Sequence, residues 1–313
     1  MIGAILAGGF GKRMRSFSPD TPKGLIQISE GVTILHRQLF DFSVMGIRDV
    51  YILSGYRGEK IEETFGDSYL GMNMHYLKEE KPMGTLFSLN NLLSVRMDED
   101  IVLRNGDTVS DINYREFARY SQRLQQKMIM CIVRMRSPYG IVEFSGNSIT
   151  SFVEKPLLSY YINAGIYYIK QSAFEYFGQK YHNKDLEKSA FPEIVKRGEM
   201  GAYREESFWI GIDSEKEVEL AREEYAGRKD HPWGFMKSHT EGKSVKVIEL
   251  YVKEREIANI GSKRKGILKI DEGSCLIPGR DGTLCRQGST VTVDAGFSIE
   301  ALENVRALFI ETG

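Results

Sequence analysis

The chain has 313 residues, and at about 150 residues per domain that length suits two domains. It is 42% hydrophobic and 27% charged, an ordinary soluble mix able to bury a sizeable core. Lys+Arg 42 against Asp+Glu 43 leaves a net charge of -1, which argues against a nucleic-acid partner and against a charged membrane surface. No apolar run approaches the roughly 20 residues of a membrane span. Residues 1–10 are apolar too briefly for a signal peptide. Cys131, Cys275 and Cys285 are few and far apart, the pattern of neither a disulfide framework nor a CxxC zinc site. A reducing, cytoplasmic setting follows, and any phosphate site must be built from local charge.

Residues 1–228 alternate two periodicities. Met1 to Leu6 is a short apolar strand that runs into a glycine-rich loop. Thr33 to Met45 reads as an amphipathic helix, with Ile34, Leu35, Leu39, Phe42 and Met45 on one side and Gly46 as its stop. A strand at Val50–Leu53, a charged helix through Glu59 to Phe65, a strand near Met74–Leu77, a helix near Leu86–Leu93 and a strand at Ile101–Leu103 follow. This order predicts an α/β fold, a mainly parallel sheet with helices on both faces, whose ligands collect beyond the strand C-termini. Near Arg228 the texture changes. The polar, proline-bearing stretch at 229–236 reads as a linker. Residues 237–313 then read as short strands (VKVIELYV, GILKI, STVTV, ALFIE) separated by glycine-bearing turns, an all-β sandwich or barrel.

The first loop carries the strongest chemical signal. Gly8, Gly9 and Gly11 let backbone N–H groups approach a phosphate chain, while Arg13 and Lys23 supply charge. Met14 stands where a dinucleotide-binding loop wants its third glycine, and Arg13 stands where a P-loop wants Ser or Thr. An ordinary glycine-rich turn is the plain alternative. Further along come Glu80-Lys81-Pro82-Met83-Gly84-Thr85, Asn105-Gly106-Asp107, Phe152-Val153-Glu154-Lys155-Pro156 and Ile162-Asn163-Ala164-Gly165. Asp107 sits just past an apolar strand, where a carboxylate can hold a hard cation. The five histidines, at 36, 75, 182, 231 and 239, share no metal-ligand spacing, and no nucleophilic triad is visible.

Taken in order over Met1 to Tyr225, these motifs resemble the sugar-1-phosphate nucleotidylyltransferase family, which has a Rossmann-like fold. The resemblance implies that Leu6, Ala7, Gly8, Gly9, Gly11, Lys12, Arg13 and Lys23 grip a nucleoside triphosphate. Glu80, Pro82, Gly84, Thr85, Asn105 and Gly106 complete the nucleotide site. Tyr139, Gly140, Glu154, Lys155, Asn163 and Gly165 take the sugar phosphate, and Asp107 holds Mg²⁺. Arg13, Lys23, Asp107 and Lys155 are the implied catalytic set.

The implied reaction is a single displacement at the α-phosphorus, driven by positioning and charge neutralisation. GTP with a mannose- or heptose-type sugar ranks ahead of other substrates, and a homodimer is a further expectation. A sugar-nucleotide sensor without turnover is the rival from another class.

Lys12 departs from the usual Thr of the family, and the GLIQI that follows Lys23 lacks a common proline. Phe87 either narrows the base pocket or packs in the core. Many relatives place an Asp two residues after the Trp that is Trp209 here. That position is Gly211, and Asp213 appears two residues later, a spacing similar to the cytidylyltransferase branch. In a strand, two residues keep the side chain on the same face about 7 Å further along. Asp213 is then a second Mg²⁺ ligand, if Gly211 tightens the following turn, or it caps the next helix.

His231-Pro232-Trp233-Gly234 and the β-rich tail resemble the cupin half of the bifunctional mannose-1-phosphate guanylyltransferase/mannose-6-phosphate isomerases. No His follows His239, so the cupin-like domain lacks the usual ligands of a catalytic transition metal. The run Lys263-Arg264-Lys265 reads either as a phosphate contact or as an exposed turn.

Overall fold

The structure is a computed structural model that describes every residue except 9–19, 56, 80–82, 179–180, 242–244, 279–281 and 313. The chain divides into two compact units, Met1–Glu219 and Leu220–Gly313.

In the first unit the apolar strands Ile101–Asn105, Ile2–Ala7, Asp49–Ser54 and Met72–Lys78 lie side by side and parallel. The long strand Leu157–Ile169 is antiparallel to Ile101–Asn105 on one side and to Met128–Arg136 on the other. Met200–Glu205 closes that edge, parallel to Met128–Arg136. The expected mainly parallel α/β sheet is therefore what forms.

Its two faces bury separate cores. On one, Ile5, Val50 and Ile52 pack under the helices Ile34–Val44, Gly58–Phe65 and Tyr114–Arg123 through Leu35, Leu39, Phe42, Ile61 and Phe117. On the other, Ile2, Ala4 and Leu103 meet Leu86, Leu89 and Leu92 of the helix Thr85–Val95, with Phe174, Phe177 and Ile194 beyond. The predicted helix at 33–45 starts at Ile34 because Thr33 accepts the His36 backbone N–H while the Thr33 N–H turns to the His36 ring. It stops where Gly46 takes φ +76°.

The polar side of that helix is buried too. Asp41 sits between Arg37, at 2.5 Å, and Arg104 of the central strand, at 2.8 Å, and all three side chains are almost fully covered. The Arg104 guanidinium stacks 4.4 Å above the Tyr114 ring.

The second unit is antiparallel throughout. One sheet runs in the order Arg228–His231, Gly234–Glu241, Val245–Val252, Val305–Thr312, Gly266–Glu272, Thr290–Val293. The other runs Ile257–Ile260, Phe297–Ala301, Ser274–Ile277, Thr283–Arg286. Leu250, Leu268, Phe309, Ala258 and Ile299 bring both sheets into one core.

The linker expected at 229–236 is corrected by this geometry. Those residues form a β-hairpin, Arg228–His231 paired with Gly234–Glu241. Its polar residues satisfy one another: Arg228 lies over the rings of Tyr225 and Phe235, at 4.2 and 3.9 Å, and pairs with Asp230 at 2.7 Å. The boundary between units falls earlier than residue 228, inside the helix Glu215–Tyr225.

Candidate functional site

Strand order reverses at Ile2–Ala7, which has Asp49–Ser54 on one side and Ile101–Asn105 on the other. Sheets of this kind bind ligands at such a reversal, beyond the strand C-termini. Gly106 donates its N–H to the Leu6 carbonyl at 2.9 Å, and a Cβ there would lie 2.7 Å from that oxygen. Glycine therefore lets the Asp107 turn lie directly on Leu6 and Ala7, ahead of Gly8. The residues expected to continue this loop, Gly9, Gly11, Lys12 and Arg13, fall outside the described residues, as do Glu80 and Pro82.

The strand Thr108–Ser110 pairs antiparallel with Trp209–Gly211, and Ile212 donates its N–H to the Asp107 carbonyl at 2.8 Å. That register brings Asp213 beside Asp107. Lys23 bridges them, its ammonium 2.9 Å from Asp107 Oδ2 and 2.8 Å from Asp213 Oδ1. Burial alone lowers the Lys23 pKa, but the Asp107 charge and the hydrogen bonds that the ammonium donates to both carboxylates outweigh it, and the pKa rises above its ordinary value.

The tightened turn expected at Gly211 is corrected. Gly211 stays in the strand opposite Thr108, and the ladder simply continues to Ile212. The capping position goes to Ser214, whose carbonyl accepts the Val218 N–H at 3.3 Å, while the Asp213 carboxylate turns to Lys23.

Lys23 is held from below. It opens a single 3₁₀ turn, Lys23–Leu25, closed by Leu25 N–H to the Pro22 carbonyl and Ile26 N–H to the Lys23 carbonyl. The Asp20 carbonyl accepts from Arg57 and Lys60, at 2.7 and 2.6 Å, which ties the far end of the first loop to the helix Gly58–Phe65.

Gly84, at φ +96°, rests against the Lys184 backbone, and the Thr85 hydroxyl accepts the Leu186 N–H at 2.8 Å. Glu79 is a residue the sequence reading missed. Its carboxylate accepts from the Ser88 hydroxyl and, at 3.3 Å, from the Met83 N–H, so it ties Met83 to the helix Thr85–Val95. Only its place beside Glu80 could have drawn attention to it. Phe87 lies outside the leucine face of its helix, with the Lys184 ammonium 5.9 Å from its ring.

The sugar-side residues fall in two groups. Asn163 accepts the Gly165 N–H at 2.8 Å and donates to the buried Tyr167 hydroxyl at 2.7 Å. Gly165 takes φ +70° against the Asn105 amide, where a Cβ would lie 2.6 Å from Asn105 Nδ2, so this strand reaches the Asp107 turn. Trp209 donates its indole N–H to the Ala164 carbonyl at 2.9 Å and ties the Asp213 strand to the same place.

Tyr139, Gly140, Glu154 and Lys155 form the second group, at the open end of the exposed hairpin Ile141–Ser145/Ser148–Val153. There Phe152 covers Gly140, and Lys155 pairs with Glu154 at 3.4 Å. Lys155 is left-handed, at φ +46°, with its carbonyl held by Arg136 at 3.2 Å.

Among the described residues no group of three or more His, Cys, Asp or Glu could hold a metal ion. Asp107 and Asp213 present two hard carboxylate oxygens that converge on the Lys23 ammonium. That donor set fits Mg²⁺, which is commonly held by one or two carboxylates plus substrate phosphates.

The fold is that of an α/β domain whose candidate site lies at the C-terminal edge of its parallel strands. The nucleotidyl transferase family matches residues 2–214, and the chain belongs to that family. It is 28% identical over 228 residues to a mannose-1-phosphate guanyltransferase of Yarrowia lipolytica, covering 69% of this chain and 62% of that protein. It is 28% identical over 222 residues to the mannose-1-phosphate guanylyltransferase catalytic subunit beta of Drosophila melanogaster, covering 68% and 59%. The chain thus spans about 60% of the length of these relatives.

Among solved structures, HddC from Yersinia pseudotuberculosis shares the fold with a TM-score of 0.58 at 23% identity, over 72% of this chain and 100% of that one. A putative glucose-1-phosphate thymidylyltransferase from Bacillus anthracis does so with a TM-score of 0.61 at 19% identity, over 74% and 97%.

Proposed function

We propose that this protein transfers a nucleotidyl group from a nucleoside triphosphate to a sugar 1-phosphate and releases pyrophosphate. The observation that carries the reading is the Lys23 bridge between Asp107 and Asp213 at the sheet's ligand-binding edge. The family, and relatives named mannose-1-phosphate guanylyltransferases, support it. GTP with a mannose- or heptose-type sugar is the favoured substrate pair.

A phosphate oxygen of the sugar 1-phosphate forms the new bond to the α-phosphorus as the bond to pyrophosphate breaks, and pyrophosphate leaves with that electron pair. The nucleophile is already anionic, so no general base is needed. Lys23 neutralises charge on the triphosphate, and Lys155 holds the sugar phosphate. Asn163 and Glu154 bind sugar hydroxyls, with Gly165 and Asn105 packed behind them. Asp107 and Asp213 would hold Mg²⁺, which would neutralise phosphate charge when bound.

The second unit carries no His beyond His239, and we assign it a structural role as a cupin-like domain without a catalytic metal. Three buried free thiols suit cytoplasmic placement, and among the described residues no helix is long and apolar enough to cross a membrane.

Pyrophosphate release from a panel of nucleoside triphosphates and sugar 1-phosphates with Mg²⁺ tests the proposal. GTP with mannose 1-phosphate or a heptose 1-phosphate is expected to lead. No release from any pair, with sugar-nucleotide binding retained, would make the protein a sensor instead.

A further inference from the structure

The Lys23 ammonium occupies the point where the Asp107 and Asp213 carboxylates converge, 2.9 and 2.8 Å from their oxygens. Two like charges this close repel, and a single ammonium offsets much of that repulsion. The backbone of Lys23 is fixed by its 3₁₀ turn, and Gly24 is packed so closely on Leu35 that a Cβ would lie 2.7 Å from its side chain. Only the flexible stem of Lys23 can carry the charge elsewhere. Asp213 is 66% exposed, so a cation from solvent has open access to the pair. A divalent cation seeking these two oxygens meets an ammonium of the same sign already bonded to both.

We propose that Lys23 is a displaceable counter-ion, which closes the acidic pair to free divalent metal and leaves it when triphosphate oxygens offer the ammonium another partner. This rests on the reading of Asp107 and Asp213 as metal ligands. Metal and nucleotide then enter together, because the anion that binds the metal also draws the lysine off it. Apparent affinity for a ligand falls by the fraction of molecules whose site is open to it. Metal without nucleotide binds only the minority of molecules in which Lys23 has swung away.

The test is binding of Mn²⁺ alone to the full-length chain, followed by the free-ion electron paramagnetic resonance signal. Wild type is compared with Lys23→Met, which keeps the stem and removes the charge, and with the double variant Lys23→Met/Asp213→Asn. Lys23→Gln serves in place of Lys23→Met if the latter does not fold. The neutral variant is expected to bind Mn²⁺ about tenfold tighter than wild type, as for a site nine-tenths occupied by the lysine, and the double variant to lose that gain. Equal Mn²⁺ affinity in wild type and the neutral variant would overturn the proposal. So would a gain that survives Asp213→Asn, because the metal would then lie elsewhere. A gain with no pyrophosphate release from any substrate pair would sink the transferase reading alone. Release without a gain would sink the counter-ion alone.

Discussion

Gln38 donates its side-chain amide to the Thr108 carbonyl at 2.7 Å from a fully buried position on the first helix. The same nitrogen reaches the Asn105 carbonyl at 2.9 Å, so one side chain brackets the turn that carries Gly106 and Asp107. Gln38→Leu keeps the bulk but strips a donor from two carbonyls, and a loss of about 1–3 kcal/mol is expected in urea denaturation. Gln38→Glu is expected to cost more, since a carboxylate would face carbonyl oxygens. Wild-type stability in Gln38→Leu would show that the bracket contributes nothing.

Lys155 combines a left-handed backbone with an ammonium, and two substitutions separate them. A side chain in that region costs about 1–2 kcal/mol that glycine avoids. Lys155→Gly is therefore expected to be more stable than Lys155→Ala by about 1 kcal/mol in thermal or chemical melts. Both lose the charge, so both are expected to raise KM for the sugar 1-phosphate and to cut turnover sharply. If turnover by both matched wild type, Lys155 would drop out of the mechanism.

His36 links the first helix to pH. Burial holds its pKa below the ordinary histidine value, and the rings of Phe65 and Tyr69 pack against it. The unfolded chain therefore takes up a proton at a pH where the folded chain still resists it. The stability contributed by neutral His36 is complete above the unfolded value near 6.5 and is lost as pH falls below it. His36→Gln keeps a good capping-box residue without the titration. Its stability at pH 7.5 is expected to match wild type to about 0.5 kcal/mol, with a shallower decline between pH 7 and 5.5. Parallel declines would exclude His36 as the source.

The three thiols are expected to be silent in the folded protein. Cys131, Cys275 and Cys285 are buried; burial pushes Cys131 well up, Cys275 to about 11, and Cys285 upward as well. At pH 8 a thiol-specific disulfide reagent is expected to react with all three only after denaturant is added. Rapid labelling of Cys275 or Cys285 in the native chain would show that the second unit opens locally, and of Cys131 that the first does.

The parallel sheet was legible because its strands are short, apolar and bounded by glycine, and because Leu35, Leu39 and Phe42 recur at helical spacing. Hydrophobic periodicity could not reveal that the opposite side of that helix is buried as well. Arg37, Gln38 and Asp41 look like a solvated face until Arg104 and the Asp107 turn are placed against them. The hairpin at 228–241 escaped for the same reason, because its polar residues are covered by one another. Lys23 and Asp107 stand in recognisable motifs. Asp213 lies off the usual spacing, and only the ladder between Thr108–Ser110 and Trp209–Gly211 brings it into reach.

That ladder also makes the site a late product of synthesis. Lys23 and Asp107 leave the ribosome early, but their third partner lies beyond the edge strand Met200–Glu205 and follows the strand that pairs with Thr108–Ser110. Closing so long a loop costs entropy that only the packed sheet offsets. An incomplete chain therefore lacks one wall of its own site, and the unfolded protein presents dispersed carboxylates in its place. Any ligand gathered by the assembled trio binds the finished fold alone and raises its melting temperature by mass action.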